Sequence, residues 1–278
     1  MPDLKRITSI VQSAGDQFLH YPRVDDRDET RKDDGSLVTR TDAAIQDFIQ
    51  HQLNALYSDI AFVGEEMAHE TQMSVLECDS DRLWVLDPLD GTTNFVAGFP
   101  FYGISLALIE NGKAALAVIH DPVRGETFTA NRGQGAFLNN VPIRPRSVDR
   151  LSRCVANIDY KRLTRSVAER LVRSPPYQSQ RNLGSCVLEW CWLAAGRFHL
   201  YLHGGQKLWD FAAGSLILEE AGGRARTFEG ERLDCESLMK RSVIGAVSPE
   251  LQRLWSAWIF RDGCLEKPAG RVGAVPGR

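Results

Sequence analysis

The chain has 278 residues, which is enough for one large domain or for two closely packed halves around a substantial core. Its content of 43% hydrophobic and 25% charged residues is typical of an ordinary soluble protein. The formal net charge of −3 provides no basic field for DNA or RNA, so the composition disfavours nucleic-acid binding. The six cysteines form no CxxC pair, which argues against a zinc site or a disulfide scaffold and fits a reducing cytoplasm.

Two segments bear on the location of the chain. The first ten residues lack the apolar core of a signal peptide. Residues 91–109 are uncharged for 19 positions, nominally enough to span a bilayer, but they include polar residues, a proline and three glycines. We therefore predict a cytoplasmic protein without a membrane span.

Apolar spacing predicts two amphipathic helices and then a sheet in the first half of the chain. The first helix covers Leu4–Phe18, a charged surface loop follows at 22–36, and the second helix begins after Asp42. Asn111-Gly112 is a strong hairpin signal, and Asn139-Asn140 indicates another turn. The predicted strands are Ile60–Val63, Leu83–Leu86, Ile104–Ile109, Lys113–His120 and Thr127–Ala130.

Strands and helices alternate in the second half. The predicted strands are Cys154–Ile158, Phe198–Leu202 and Ser242–Ala246. The predicted helices are Leu163–Val172, Ser185–Ala195, Asp210–Ala221, and a last helix capped by Ser248 with Pro249 at its first position. Because no flexible linker separates the halves, we predict a single domain over 1–258, with halves at about 1–145 and 146–258. Residues 259–278 are rich in Gly, Pro and Arg, which predicts a flexible tail.

Acidic residues follow two predicted strands and open one predicted helix. Glu65 comes after Ile60–Val63, Asp87 and Asp90 come after Leu83–Leu86, and Asp210 begins a helix. Each feature alone has an ordinary explanation: a solvated loop, a turn, or a helix N-cap. Together, oxygen ligands without His or Cys suit a hard cation such as Mg²⁺, and a shared carboxylate is typical of a two-metal phosphoryl-transfer site.

The residues after Asp90 suggest a seat for a phosphate group. Gly91, Thr92 and Thr93 supply backbone N–H groups at a predicted helix start, where anions bind well. Asp-Gly is also a common turn dipeptide, so this segment indicates a phosphate site only when it is considered together with the acidic residues.

Three segments carry a resemblance to a known family. "GEE" at 64–66, "DPLDGTTNF" at 87–95 and "WDFAAGSLILEEAGG" at 209–223 resemble the signature segments of the inositol monophosphatase family, in matching order and spacing over about 1–258. The resemblance implies an α/β fold, the five-layered α/β/α/β/α sandwich of the inositol monophosphatase and fructose-1,6-bisphosphatase type. It also implies Mg²⁺ dependence, lithium sensitivity and a homodimer.

The resemblance assigns metal ligands residue by residue. It implies that Glu65, Asp87 and the backbone carbonyl of Leu89 hold one Mg²⁺, and that Asp87, Asp90 and Asp210 hold a second. A third, weaker ion would share Glu65 through water. The resemblance thus implies two or three Mg²⁺ ions.

The same resemblance assigns the catalytic residues. Thr92 matches the threonine that helps to activate the attacking water, and Asp42, which closes "VTRTD", matches the aspartate that hydrogen-bonds this threonine. Asp42 could equally be a helix N-cap, and the two roles are compatible. Asp90 is expected both to bind metal and to take part in catalysis.

Substrate contacts are expected at two places. The first is Asp90, Gly91 and Thr92; the second is the Gly184-Ser185 segment, with Cys186 beside it as a packing residue. A further contact is expected at His203, which stands where inositol-hydrolysing members carry an acidic residue. The alternative for His203 is that it ends a strand and points to solvent. With Lys207, it would make the pocket less negative and favour a substrate that carries a second anionic group.

We therefore predict an enzyme, a Mg²⁺-dependent phosphatase for a small phosphate monoester of the inositol 1-phosphate type. The alternatives are a fructose-1,6-bisphosphatase or a 3′-phosphoadenosine 5′-phosphate phosphatase, and a regulatory binding protein on the same fold. The binding-protein alternative is disfavoured because the four carboxylates and Thr92 are all present. The predicted partner is a small phosphorylated metabolite, with no membrane and no nucleic acid.

Overall fold

The computed structural model describes residues 2–19, 29–31, 37–78, 80–146 and 148–261. Of the charged loop predicted at 22–36, only 29–31 lie within the described residues, and of the tail predicted at 259–278, only 259–261 do. Within the described ranges, no helix is long and apolar enough to cross a membrane. The uncharged stretch 91–109 instead begins with a short helix and continues into a strand.

The first half is a seven-stranded sheet with two long helices on one face and two shorter helices. The long helices are α1 (Leu4–Phe18) and α2 (Arg40–Leu56), and the shorter ones are α3 (His69–Glu77) and α4 (Thr92–Ala97). A hairpin of β1 (Glu29–Arg31) and β2 (Leu37–Thr39) precedes α2. The sheet strands are β3 (Ala61–Gly64), β4 (Arg82–Asp90), β5 (Gly103–Glu110), β6 (Lys113–Asp121), β7 (Glu126–Asn131), β8 (Ala136–Leu138) and β9 (Val141–Pro142). They pair in sequence order, with β3 and β4 parallel and every later pair antiparallel.

The second half is a five-stranded mixed sheet with helices on both faces. Its strands are β10 (Val155–Asp159), β11 (Ser179–Arg181), β12 (Leu200–Gln206), β13 (Arg224–Arg226) and β14 (Arg241–Ala246), in the spatial order β11-β10-β12-β14-β13. Its helices are α5 (Arg165–Arg173), α6 (Cys186–Ala194), α7 (Leu208–Glu220) and α8 (Pro249–Ile259). Short 3-10 turns occur at Leu151–Arg153 and Tyr160–Arg162.

The elements stack as five layers. Helices α1 and α2 pack against one face of the seven-stranded sheet, and α6 and α7 fill the space between the two sheets. Helix α8 covers the other face of the five-stranded sheet, with α5 beside it through Arg170, which stacks on Trp258. At Gly214 of α7, a Cβ would stand 2.3 Å from the Cβ of Trp190 of α6, so only glycine permits this helix contact. The predicted five-layered α/β/α/β/α sandwich is confirmed.

Three local predictions needed correction. Residues 29–31 belong to a strand rather than to a loop, because they pair with 37–39. Helix α3 was not predicted; Gln72 is its one fully buried residue, so its sequence lacks an apolar stripe. Strand β4 does not end at Leu86 but continues through Pro88 to Asp90. Its pairing with β5 shifts between Asp87 and Asp90, and a shifted register accommodates a proline without a ladder N–H.

Candidate active site

Three aspartates meet where β4 ends and α7 begins. Carboxylate oxygens of Asp87, Asp90 and Asp210 all lie within 4.8 Å of one another. Strand β4 pairs Asp87 with Ser105 and Asp90 with Gly103, so β4 has one residue more than β5 between these pairs. This extra residue brings both aspartates of β4 to one side, where Asp210 joins them.

Asp210 is held by the start of its own helix. It was expected to open α7, but α7 begins at Leu208 and Asp210 is its third residue. The backbone N–H of Lys207 donates to Asp210 Oδ2 at 2.8 Å, so the carboxylate closes back over the helix start. One carboxylate oxygen thus stabilises the first turn, which fixes the direction in which Asp210 points.

The three-aspartate cluster is electrostatically costly without a cation. Burial raises the pKa of Asp87 well above its ordinary value, and the charges of Glu65 and Asp90 raise it further. Burial, followed by the charge of Asp210, raises the pKa of Asp90 to about 8. Burial and the charge of Glu65 raise the pKa of Asp210 to about 6. Asp87 Oδ2 is buried and accepts no hydrogen bond from the described residues, so this set of oxygen ligands fits a hard divalent cation such as Mg²⁺.

Glu65 lies beside this cluster rather than within it. Its backbone N–H donates to the carbonyl of Leu86 at 3.1 Å, which ties the end of β3 to β4. Its carboxylate is not among the oxygens that gather within 4.8 Å, and Oε1 lies 3.6 Å from Lys207 Nζ. The predicted set of four carboxylates is therefore three clustered aspartates and one neighbouring glutamate that also contacts a lysine.

Thr92 connects the cluster to helix α2. Its Oγ1 lies 3.0 Å from the carbonyl oxygen of Leu89 and 3.3 Å from Asp42 Oδ1. Asp42 is buried, and its Oδ2 accepts both the backbone N–H and the hydroxyl of Thr39, at 2.8 and 2.5 Å. The N-cap of α2 is Thr39, so the N-cap role considered for Asp42 is wrong. The expected Asp42–Thr92 contact is present, while its part in catalysis stays a prediction.

Gly91 occupies a position that other residues would strain. Its φ of +90° is left-handed, and a Cβ there would stand 3.0 Å from the carbonyl oxygen of Phe101 and 3.2 Å from Ser185 Cβ. Helix α4 begins immediately afterwards, at Thr92, as the sequence predicted. The first N–H groups of a helix have no intrahelical acceptor, so this turn presents free donors beside the aspartates.

Asp90 also joins the two halves of the molecule. Its Oδ2 accepts the Ser185 hydroxyl at 2.6 Å and the Val187 N–H at 2.8 Å, both at the start of α6. The next residue back, Gly184, has a φ of +81°, and a Cβ there would stand 3.2 Å from the side-chain amide of Asn94. Ser185 is therefore committed to Asp90, and the substrate contact predicted for Gly184-Ser185 stays a prediction.

Glu189 was not singled out from the sequence, although it shapes the same loop. It is buried in the first turn of α6, and its Oε1 accepts the N–H groups of Leu183 and Gly184 at 3.1 and 3.0 Å. Its Oε2 accepts the hydroxyl of Tyr201 at 2.9 Å. The Gly184 N–H thus already has an acceptor within the protein, and no sequence signal distinguishes this glutamate from an exposed helix residue.

His203 is buried and does not point to solvent, contrary to the alternative considered from the sequence. Its Nε2 lies 3.4 Å from Asp159 Oδ2 and 3.7 Å from Cys186 Sγ. Burial raises the pKa of the Cys186 thiol well above its ordinary value, and nearby Asp90 adds to the rise, which fits packing rather than thiol chemistry. Asp159 also accepts from Arg162 Nη1 at 2.5 Å; neither residue was a candidate from the sequence.

Comparison with known proteins places this site in context. Residues 7–260 match the model of the inositol monophosphatase family. The "Nus factor SuhB" of Pasteurella multocida is 36% identical over 222 residues, which cover 76% of this chain and 79% of that protein. The "fructose-1,6-bisphosphatase/inositol-1-monophosphatase" of Thermotoga maritima is 35% identical over 221 residues, 79% of this chain and 82% of that protein.

A solved structure agrees with the family match. The structure of the extragenic suppressor protein SuhB from Bartonella henselae superposes with a TM-score of 0.83 at 27% identity, over 93% of this chain and 98% of that one. The resemblance seen in the three sequence segments is confirmed, and the chain belongs to the inositol monophosphatase family.

Proposed function

We propose that this protein is a Mg²⁺-dependent phosphatase that hydrolyses a small phosphate monoester of the inositol 1-phosphate type. One observation carries the proposal: buried Asp87 and half-buried Asp90 and Asp210 gather their carboxylate oxygens within 4.8 Å of one another, and no described residue hydrogen-bonds Asp87 Oδ2. The Thr92 hydroxyl belongs to the same site, since it contacts the carbonyl of Leu89 within the same segment. Membership of a family named for inositol monophosphatases supports this reading.

Five residues would hold the metal ions. They are Asp87, Asp90 and Asp210, with Glu65 and the carbonyl oxygen of Leu89 completing the set. When bound, Mg²⁺ lowers the pKa of a water molecule and balances the charge that develops on the phosphate and on the leaving oxygen. Burial and mutual repulsion raise the pKa values of these aspartates, and a bound cation would relieve both costs.

Thr92 would orient the attacking water. Its hydroxyl proton is directed to Asp42 Oδ1 or to the carbonyl of Leu89, which leaves a lone pair of Oγ1 to accept a hydrogen bond from the water. Asp42 is fixed by its two bonds from Thr39, so the orientation of the threonine is set before substrate arrives. The substrate phosphate would receive N–H groups from the turn that starts at Gly91.

Two other functions are compatible with some of these observations. A sugar or nucleotide bisphosphatase is the alternative within the same chemistry, and the Thermotoga maritima relative carries both enzyme names. A regulatory binding protein is suggested by relatives named Nus factor SuhB. A protein without catalytic duty has no need of three clustered aspartates, one buried and two half-buried, that repel one another, so we favour catalysis.

The direct test is phosphate release from a panel of phosphorylated polyols, sugars and nucleotides with Mg²⁺, with and without lithium. We expect release from at least one small monoester, dependence on Mg²⁺ and inhibition by lithium. Mg²⁺ binding without phosphate release from any ester would contradict the enzyme and favour the binding protein. The expected homodimer and cytoplasmic location rest on the resemblance and the composition, and a sedimentation measurement would test the dimer.

A further inference from the structure

Asp159 stands at the centre of a small polar cluster beside the proposed active site. It is the last residue of β10, directly opposite His203 of β12 in the sheet register. Its Oδ2 lies 2.5 Å from Arg162 Nη1 and 3.4 Å from His203 Nε2, and its Oδ1 accepts the N–H of Lys161 at 3.0 Å. One carboxylate therefore positions both a histidine and an arginine.

The protonation of His203 follows from its hydrogen bonds. The backbone N–H of Gly205 lies 3.1 Å from His203 Nδ1, and because a backbone N–H can only donate, Nδ1 accepts. The proton of the neutral ring is then on Nε2, which faces Asp159. His203 is 1% exposed, so its ring has no open face for a substrate. His203 therefore contacts Asp159 and, through Asp159, is linked to Arg162.

Arg162 is the member of this cluster that reaches solvent. Its side chain is 52% exposed, and its hydrogen bond to Asp159 uses Nη1. A guanidinium has five N–H donors in a planar fork that matches phosphate and carboxylate oxygens. Because half of the side chain is exposed, donors of this fork other than the one that Asp159 accepts can reach an anion.

Arg162 is linked to the proposed catalytic cluster through a short chain of contacts. His203, which contacts its partner Asp159, lies 3.7 Å from Cys186 Sγ. The residue that precedes Cys186, Ser185, donates to Asp90 at 2.6 Å.

Burial lowers the pKa of the Arg162 guanidinium, but the negative charges of Asp159 and Asp210 raise it above its ordinary value. Its carbonyl oxygen packs so tightly on β12 that a Cβ at Gly204 would stand 1.7 Å away, which anchors the residue. Lys207 differs, because its ammonium contacts Glu65 at 3.6 Å and lies over the ring of Trp209.

We propose that Arg162 is a specificity-determining residue that binds a second anionic group of the substrate, a phosphate or carboxylate, while the reacting phosphate lies at the three aspartates. The proposal rests on the proposed phosphatase function and adds to it the class of substrate. Arg162 acts by binding remote from the reacting bond, and Asp159 with His203 positions it.

Two substrates that differ only in the second phosphate test the proposal. Fructose 1-phosphate and fructose 1,6-bisphosphate share the same sugar, and kcat/KM is measured for both with Mg²⁺. We expect wild type to prefer the bisphosphate, and Arg162→Gln to reduce that preference about tenfold to a hundredfold, the range for a charge-assisted hydrogen bond. Arg162→Lys, which keeps the charge without the fork, should restore part of the preference.

A matched control separates the specific effect from a change in net charge. Arg165 is 92% exposed and pairs with Glu169 on α5, so Arg165→Gln removes the same charge nearby and should leave the preference unchanged. A binding readout is independent of turnover: fructose 6-phosphate, the product that keeps the second phosphate, should bind less tightly to Arg162→Gln by calorimetry.

The possible failures are distinguishable. If wild type releases phosphate from both sugars without preference, or if Arg162→Gln leaves the ratio and the affinity for fructose 6-phosphate unchanged, Arg162 is not a specificity residue and the phosphatase function stands. If no phosphate ester of the panel is hydrolysed, the phosphatase function fails and the inference fails with it.

Discussion

Asp87 and Asp90 face the same side of strand β4 although they are three positions apart. In a regular strand, residues at odd spacing point to opposite faces. Here the pairing jumps from Asp87 with Ser105 to Asp90 with Gly103, and the additional residue in β4 reverses the alternation. Their carboxylates thereby gather with Asp210 within 4.8 Å, which a turn or a regular strand would not achieve.

Removing one charge from this cluster should abolish activity without unfolding the protein. Asp90→Asn or Asp210→Asn is expected to lower kcat/KM by more than about a hundredfold, because each loses a charged oxygen ligand of the proposed cation. The increase in Tm on addition of Mg²⁺ should shrink in parallel. Asp47→Asn, on the exposed face of α2, makes the same change of charge and should have little effect. Near-normal activity of either variant at low Mg²⁺ would contradict the proposed metal site.

The role of Thr92 in activating the attacking water can be tested by comparing its alanine variant with that of the neighbouring Thr93. Thr92→Ala should lower kcat more than it raises KM, because its hydroxyl is expected to act in the transition state rather than in holding substrate. Thr93 is exposed, and Thr93→Ala should therefore change kcat little. Steady-state kinetics of both variants provides the test. A Thr92→Ala effect confined to KM would indicate a binding role instead.

Gly91 can be tested against a glycine in open space. Both Gly91 and Gly230 have left-handed backbones, with φ of +90° and +85°, but a Cβ at Gly230 would have nothing within 4 Å. Gly230→Ala should lower the free energy of unfolding by about 1–2 kcal/mol, the cost of placing a residue with a Cβ in the left-handed conformation. Gly91→Ala should cost more, since its Cβ also approaches the carbonyl of Phe101, and should impair activity. Equal losses in urea unfolding would show that the close approach at Gly91 is unimportant.

The helices and strands that apolar periodicity predicts agree best with the structure. Helices α1 and α8 and the hairpin around Asn111-Gly112 follow from apolar spacing and turn residues, which act locally. Ser248 accepts from the N–H of Leu251, as its N-cap assignment required. The positions of Asp42 and Asp210 within their helices were predicted wrongly. Each is the third residue of its helix and not the residue that caps or opens it.

The geometry of the site depends on pairing between distant segments, which the sequence of one segment does not contain. The shifted register of β4 exists only against β5, and Glu65 meets Lys207 only after the two halves pack. The sequence around His203 does not indicate that this histidine is buried, because the residue that it contacts, Asp159, comes from another strand. Arg162 was unrecognised for the same reason.

The contacts of Asp159 predict that the stability of the fold decreases at acidic pH. Burial alone would raise the pKa of Asp159, but hydrogen bonds from His203 and Arg162, together with the positive charge of Arg162, outweigh burial and lower it. A lowered pKa means that the native state stabilises the charged form, so this contribution is complete above the ordinary value of 3.8 and is lost as pH falls below it. Asp159→Asn should therefore be less stable than wild type at neutral pH.

The stability gap between wild type and Asp159→Asn should then narrow as the pH is lowered below about 4, because the unfolded wild-type chain takes up a proton at Asp159 that the native state binds only at lower pH. Urea unfolding at a series of pH values measures the gap directly. Asp149→Asn is the matched control, since Asp149 is 69% exposed and its ion pairs with Arg150 and Arg153 are long, at 3.7 and 3.8 Å. That control should differ little from wild type at any pH. A gap for Asp159→Asn that stays constant, or widens, on acidification would show that its carboxylate charge does not stabilise the fold.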